Sequence, residues 1–201
     1  MTGTLLIATH NPHKTGEMRA ILADHFETIT DLTALPGMTP PEETGTTFVE
    51  NSAIKALAAS RAMPEAFVLA DDSGLEVDAL GGAPGVYSSR YSGEDATDAS
   101  NRVKLLAELA RPDLVGTPRT ARFRCVVTLA KGGEVLATFD GAVEGRIAEA
   151  ETGTGGFGYD SLFIPAGHVA SFGELPESVK NGMSHRARAL AKFRGWLTRD
   201  P

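Results

Sequence analysis

The chain has 201 residues, enough for one sizeable core and too few for two generous domains. Hydrophobic residues at 42% and charged residues at 22% describe a soluble globular protein, and a formal net charge of −7 excludes one that coats DNA or RNA through its phosphates. The single Cys125 excludes an internal disulfide framework or a multi-cysteine zinc site, and points to a reducing cytoplasm.

The first segment, MTGTLLIATHNPHK, has no basic region and only a short apolar run, so neither a signal peptide nor a membrane span is expected. Within it TLLIAT reads as a buried strand. Asn11 and Pro12 then mark a helix start, with Asn as cap and Pro at the first helical position, and Met18, Ile21, Leu22 and His25 recur at helical spacing. A loop rich in Pro, Gly and Thr runs from Leu35 to Thr46. Thr47 and Glu50 have capping-box spacing and open a helix through NSAIKALAASRA. FVLA reads as a second buried strand that ends in a DDSG turn, and LGGAPGVYSSRYSG as loop.

DATDASNRVKLLAELA is amphipathic and helical. Three strands are expected around ARFRCVVTLA, EVLATFDGAV and GRIAEA, with Gly132-Gly133 turning the first hairpin. The C-terminal SHRARALAKFRGWL reads as a helix with Ala189, Leu190, Phe193 and Leu197 on its apolar side. Alternation of strand and helix, followed by consecutive strands, indicates an α/β chain with a mixed sheet. No linker divides it, so residues 1–201 read as a single domain.

ETGTGGFGYD satisfies G-x-G-x-x-G through Gly153, Gly155 and Gly158. A dinucleotide fingerprint must join a strand to a helix facing the pyrophosphate, whereas YDSLFIPAGH here runs into a strand and a proline turn. Those glycines instead serve a turn, or let backbone and Phe157 approach a flat ligand.

Thr9, Asn11 and Lys14 lie where a strand meets a helix N-terminus, a place that favours an anion. PEETG and ADDSG each supply adjacent carboxylates, and Asp71 and Asp72 together need a compensating cation or proton. A hard ion such as Mg²⁺ suits few carboxylates plus phosphate oxygens. Lys55 follows Asn51 by four positions on one helix. KNGMSHR places Lys180, His185 and Arg186 at the start of the last helix, with Ser184 as its cap, where cations oppose the helix dipole. Each group also has a plain structural reading, as a cap, a solvated turn or a basic surface. No Walker loop, G-x-S-x-G elbow, H-E-x-x-H or clustered His/Cys set occurs.

The ordered set is far more specific than its parts. TxNxxK, EETGxTFxENxxxK, ADDSGLxVDxLGGAPGxYSxRYSG, GTGGFGYD and SHR occur in one order over nearly the whole chain. This closely resembles the non-canonical purine nucleoside triphosphate pyrophosphatases, also called inosine triphosphate pyrophosphatases. The resemblance implies an elongated mixed β-sheet flanked by helices, forming two lobes around a central cleft. It also implies a Mg²⁺-dependent cytoplasmic homodimer that hydrolyses ITP, dITP and XTP to the monophosphate and pyrophosphate, with no nucleic acid or membrane as partner.

By position, Thr9, Asn11, Lys14 and Lys55 match the residues that grip the triphosphate. Glu43 and Asp72 match the metal carboxylates, Asp72 also the general base, and Ser73 a substrate contact. Phe157, Gly158, Tyr159, Asp160, Lys180, His185 and Arg186 match the nucleobase pocket, where Phe157 stacks on the purine. Many members carry proline after the FGYD aspartate, where this chain has Ser161; compensation by the loop backbone is expected. Two other readings remain at this point. One is a related pyrophosphatase for other nucleotides, such as modified pyrimidine triphosphates. The other is a sensor that binds without hydrolysing, which would be expected to lack the acidic site.

Overall fold

The computed structural model describes residues 3–198. Its strands are β1 (Thr4–Ile7), β2 (Thr28–Asp31), β3 (Phe67–Val77), β4 (Thr120–Lys131), β5 (Glu134–Ile147) and β6 (Phe163–Pro165). The helices are α1 (Pro12–Leu22), α2 (Phe48–Ala62), α3 (Asp98–Leu109), α4 (Glu177–Met183) and α5 (His185–Leu197). The strands form one six-stranded sheet in the order β2-β1-β3-β4-β5-β6. β1 runs parallel to β2 and to β3, with Leu5 opposite Phe67 and Ile7 opposite Leu69, while β5 and β6 are antiparallel. The sheet is therefore mixed, as the order of elements indicated.

The chain forms two compact units. The first gathers the described residues up to Asp72, Cys125–Gly141 and those from His185 onward; the second comprises Ser73–Arg124 and Ala142–Ser184. β3, β4 and β5 each contribute residues to both.

In the first unit the strand period of two sorts side chains onto two faces. Leu5, Ile7, Leu69, Cys125, Val127 and Leu129 pack with Met18 and Leu22 of α1 and Ala189, Leu190 and Phe193 of α5. Leu6, Ala8, Val68, Ala70 and Ala130 pack instead with Ala56 and Ala59 of α2. The buried Ser52 and Thr128 hydroxyls satisfy each other across this second face at 2.7 Å. Phe193 lies 5.5 Å from Phe139 and 6.2 Å from Phe26 by ring centroids, the geometry of favourable aromatic pairs. In the second unit Phe123, Phe163 and Phe172 cluster with Leu75, Val77 and Leu105 of β3 and α3.

Helix starts follow their sequence signals. Asn11 caps α1 ahead of Pro12, and reciprocal capping boxes open α2 at Thr47 and Glu50 and α3 at Thr97 and Ser100. Gly132 and Gly133, at φ +60° and +85°, make the two-residue turn between β4 and β5.

Four local expectations are corrected. β3 does not end at Ala70 but continues through DDSG to Val77, so those acids lie within a strand. EVLATFDGAV and the GRI of GRIAEA form one continuous strand, β5, which ends at Ile147. α1 stops at Leu22, and His25 lies beyond it, accepting from Arg194 Nε at 3.0 Å. Lys180 belongs to a separate short helix, α4, because Ser184 adopts an extended conformation (φ −62°, ψ 162°) between it and α5.

Candidate active site

The strand-to-helix junction after β1 is built from side chains that cap backbone. The Thr9 hydroxyl accepts from the Asn11 N–H at 3.1 Å. Asn11 Oδ1 accepts from the N–H groups of His13 and Lys14 at 2.9 and 3.3 Å. Two of the helix's otherwise open donors are spent on this cap, so attraction for an anion falls mainly to the Lys14 ammonium and the helix dipole. Lys14 Nζ lies 3.1 Å from Asp71 Oδ2.

Asp71 is buried and also accepts from Arg186 Nη2 at 2.8 Å, while Arg186 Nη1 donates to Glu17 of α1. Arg186 is 1% exposed and Glu17 5%. Burial pushes the Asp71 carboxyl up, but Lys14, Arg186 and Lys55 outweigh it and hold the group far below the usual carboxylate range. The guanidinium at the start of α5 thus has its charge answered by two carboxylates, which resolves its conflict with the helix dipole.

Asp72 lies toward α2. Its Oδ1 accepts from Lys55 Nζ at 2.9 Å, and Lys55 Nζ is 3.2 Å from Glu43 Oε1. Burial raises the Asp72 carboxyl, Lys55 lowers it and Glu43 pushes it up again; the net is a group above its ordinary value. Burial opposes the charge on Lys55, yet Asp72, Asp71 and Glu43 hold its ammonium above the usual lysine range.

The loop carrying Glu43 is pinned to the start of α2. Gly45 N–H donates to Asn51 Oδ1 at 2.8 Å, and the N–H groups of Thr46 and Thr47 donate to Glu50 Oε2 at 2.7 and 3.0 Å. A Cβ on Gly45 would stand 2.6 Å from Asn51 Oδ1 and from Glu50 Cβ, so only glycine lets the backbone lie this close.

Two observations bear on a cation here. Asp72 Oδ2 is buried without a hydrogen-bond partner. Among the described residues no three His, Cys, Asp or Glu side chains gather as an all-protein metal cage. A lone pair left open on a carboxylate, with Glu43 near, fits Mg²⁺, which takes one or two carboxylates and completes its shell with water and phosphate oxygens.

The second unit positions Phe157–Asp160. Asp160 Oδ2 accepts from the Phe157 N–H at 2.9 Å and from Lys180 Nζ at 2.6 Å, and that ammonium lies 4.7 Å over the Phe157 ring. The buried Tyr159 hydroxyl donates to Ser88 O at 2.8 Å. Gly156 meets the same carboxylate: a Cβ there would lie 2.1 Å from Asp160 Oδ2. The glycines of the segment thus permit close packing and positive φ, and no helix follows them to face a pyrophosphate.

Thr9, Asn11, Lys14, Glu43, Lys55, Asp71, Asp72, His185 and Arg186 all fall in the first unit; Ser73, Phe157, Gly158, Tyr159, Asp160 and Lys180 fall in the second. Sequence reasoning missed Glu17. It follows Lys14 by three positions and so shares a helix face with it, which was the one available sign.

The Ham1 family model matches residues 5–196. The dITP/XTP pyrophosphatase of Geobacter sulfurreducens is 46% identical over 197 residues, covering 96% of this chain and 96% of the relative. That of Bacillus subtilis is 46% identical over 188 residues, covering 94% and 93%. The solved structure of the Staphylococcus aureus Ham1 protein superposes with a TM-score of 0.86 at 36% identity, covering 99% of this chain and all of the other.

Proposed function

This chain belongs to the Ham1 family, and we propose that it hydrolyses the non-canonical purine nucleoside triphosphates dITP, XTP and ITP to the monophosphate and pyrophosphate. The observation that carries this reading is the acid–base constellation of the first unit. Three cations (Lys14, Lys55, Arg186) stand against four carboxylates (Glu17, Glu43, Asp71, Asp72), with one buried Asp72 oxygen left open.

Such a set does not by itself attract a triphosphate of about four negative charges, and an added divalent cation removes the repulsion. Glu43 and Asp72 are the residues that would hold Mg²⁺, which when bound neutralises phosphate charge and polarises the scissile bond. Lys14 and Lys55 exchange their carboxylate partners for phosphate oxygens and stabilise the charge on departing pyrophosphate. Asp72 takes the proton of the attacking water, a role that its carboxyl, held above its ordinary value, supports. Water oxygen bonds to the α-phosphorus as the bond from that phosphorus to the α–β bridging oxygen breaks.

Thr9 and Asn11 keep the Lys14 turn in shape, and Ser73 follows Asp72 in β3 as a substrate contact. The family resemblance supports a nucleobase role for Phe157, Gly158, Tyr159, Asp160 and Lys180 of the second unit, and separately for His185 and Arg186 of the first. Rejection of adenine follows if a buried donor pairs with the 6-oxo group of hypoxanthine or xanthine, because adenine presents an amino group there. With both Arg186 Nη atoms on carboxylates, its first contribution is to fix Asp71. The matched span includes residues of both units, which supports residues 1–201 acting as one catalytic domain. The family resemblance supports a cytoplasmic homodimer. Among the described residues no helix is long and apolar enough to cross a membrane.

The test is to incubate purified protein with ITP, XTP, dITP, GTP and ATP, each with and without Mg²⁺, and resolve the products. Expected are IMP, XMP, dIMP and pyrophosphate, only with the metal, and little GMP or AMP. Orthophosphate as the product would overturn the bond assignment, and binding without turnover would restore the sensor.

A further inference from the structure

Taking Phe157–Asp160 as the base-contacting loop proposed above, we infer that Asp98 and Arg102 of α3, working with Glu151 and Ser161, are positioning residues that set nucleobase discrimination. Asp98 Oδ2 accepts from the Gly158 N–H at 2.7 Å, and Arg102 Nη1 donates to the Gly158 carbonyl at 2.8 Å. The two side chains are four residues apart, on one helix face, so a single turn of α3 grips both polar groups of one loop residue. Gly158 sits at φ +61°, and a Cβ there would meet nothing within 4 Å. Its backbone shape, not crowding, is what the clamp fixes.

The clamp reaches Ser161 through one carboxylate. Arg102 Nε donates to Glu151 Oε2 at 2.8 Å, and Ser161 Oγ donates to the same oxygen at 3.0 Å. Ser161 also accepts through its carbonyl from the Thr152 N–H at 2.8 Å. Where proline would fix φ by its ring, serine here fixes the same corner by a hydroxyl tied to Glu151. Compensation therefore comes from a side-chain chain, Ser161–Glu151–Arg102–Gly158, as well as from backbone. All of these groups lie in the second unit.

The consequence is specific to the base. The four side chains belong to the second unit, and Lys14, Lys55 and Asp72 to the first, so loss of the clamp should loosen where Phe157 stands and leave the phosphate chemistry largely in place. Charge-assisted bonds of this kind are worth roughly tenfold or more each when one partner is removed.

The experiment measures kcat and KM for ITP and for GTP with Asp98→Ala, Arg102→Met, Ser161→Ala and the conservative Asp98→Asn, with melting temperatures beside them. Expected is an ITP KM raised roughly tenfold in Asp98→Ala and Arg102→Met, a much smaller change in kcat, and a lower ITP-to-GTP ratio of kcat/KM. Asp98→Asn keeps an acceptor for Gly158 N–H and should recover most of the loss. Ser161→Ala, which leaves Arg102 on Glu151, should fall between and keeps the test open if a larger change prevents folding. Wild-type KM and selectivity in folded Arg102→Met and Ser161→Ala would overturn the clamp. Phe157→Ala separates the two ideas: if it too is silent, the base-loop reading falls, whereas an effect there with silent clamp variants removes the clamp alone.

Discussion

Asp71 and Asp72 are neighbours in the chain, yet β3 turns them to opposite faces of the sheet. Asp71 continues the row of Leu69 toward α1 and α5, where it meets Lys14 and Arg186; Asp72 continues the row of Val68 and Ala70 toward α2, where it meets Lys55. Two adjacent acids that would repel in one pocket each find a separate cation.

That division separates their mutants. Asp72→Asn should lower turnover by roughly 10²–10⁴ while nucleotide binding survives. Asp71→Asn leaves the guanidinium of Arg186 one charge short in a buried place, and should destabilise the fold by about 3–5 kcal/mol. Steady-state kinetics and thermal melts of both proteins would show it. Equal effects on both readouts would argue against separate roles.

Thr47→Ala should lower stability by about 1 kcal/mol, the usual worth of an N-cap. Because Glu50 also binds the Thr46 and Thr47 amides, the loop that presents Glu43 loosens with it. A higher Mg²⁺ requirement should therefore accompany the lower melting temperature.

Gly141→Ala tests how α5 docks. A Cβ there would stand 2.1 Å from the His185 carbonyl oxygen and 2.5 Å from the Ala189 nitrogen, both backbone atoms that cannot swing aside. The helix start must shift, carrying Arg186 with it. A loss of about 1–3 kcal/mol is expected from such overpacking. Loss of activity at temperatures where the protein is still folded would tie that shift to Asp71. An unchanged melting temperature would count against the close approach.

Cys125 should resist alkylation in the native protein. Burial and the nearby Asp71 carboxylate push its thiol up to about 12 from an ordinary value of 9.0. A group raised on folding contributes stability below its unfolded value and loses it as pH climbs toward the folded one, so alkaline solution favours the unfolded, ionised thiol. Iodoacetamide at pH 9 should modify urea-unfolded protein readily and folded protein hardly at all. Rapid modification of the folded form would contradict the burial.

Local signals fixed the helix starts at Asn11 and Thr47, the Gly132-Gly133 turn and the apolar face of α5, because each depends on neighbours within one turn of chain. Where burial decided, the same reading failed. DDSG carries turn residues, but β3 runs on through it because Leu75 and Val77 have a core to enter. α5 starts directly after Ser184, where a cap was expected, but Lys180 stands on a short helix of its own, α4, which spacing alone did not reveal.

The sequence by itself determined the family, through an ordered set of motifs whose chemistry is local, and it singled out Lys14, Lys55, Glu43, Asp71 and Asp72, but not Glu17. Only the tertiary structure decided which charges pair. Glu17 and Arg186 are 169 positions apart, and Asp71 and Arg186 are 115 apart. Nothing in a linear pattern links them, because a buried ion pair is selected by what the packed interior must neutralise. The same holds for α3 and Gly158: a clamp across 60 positions exists only once the chain has closed around it.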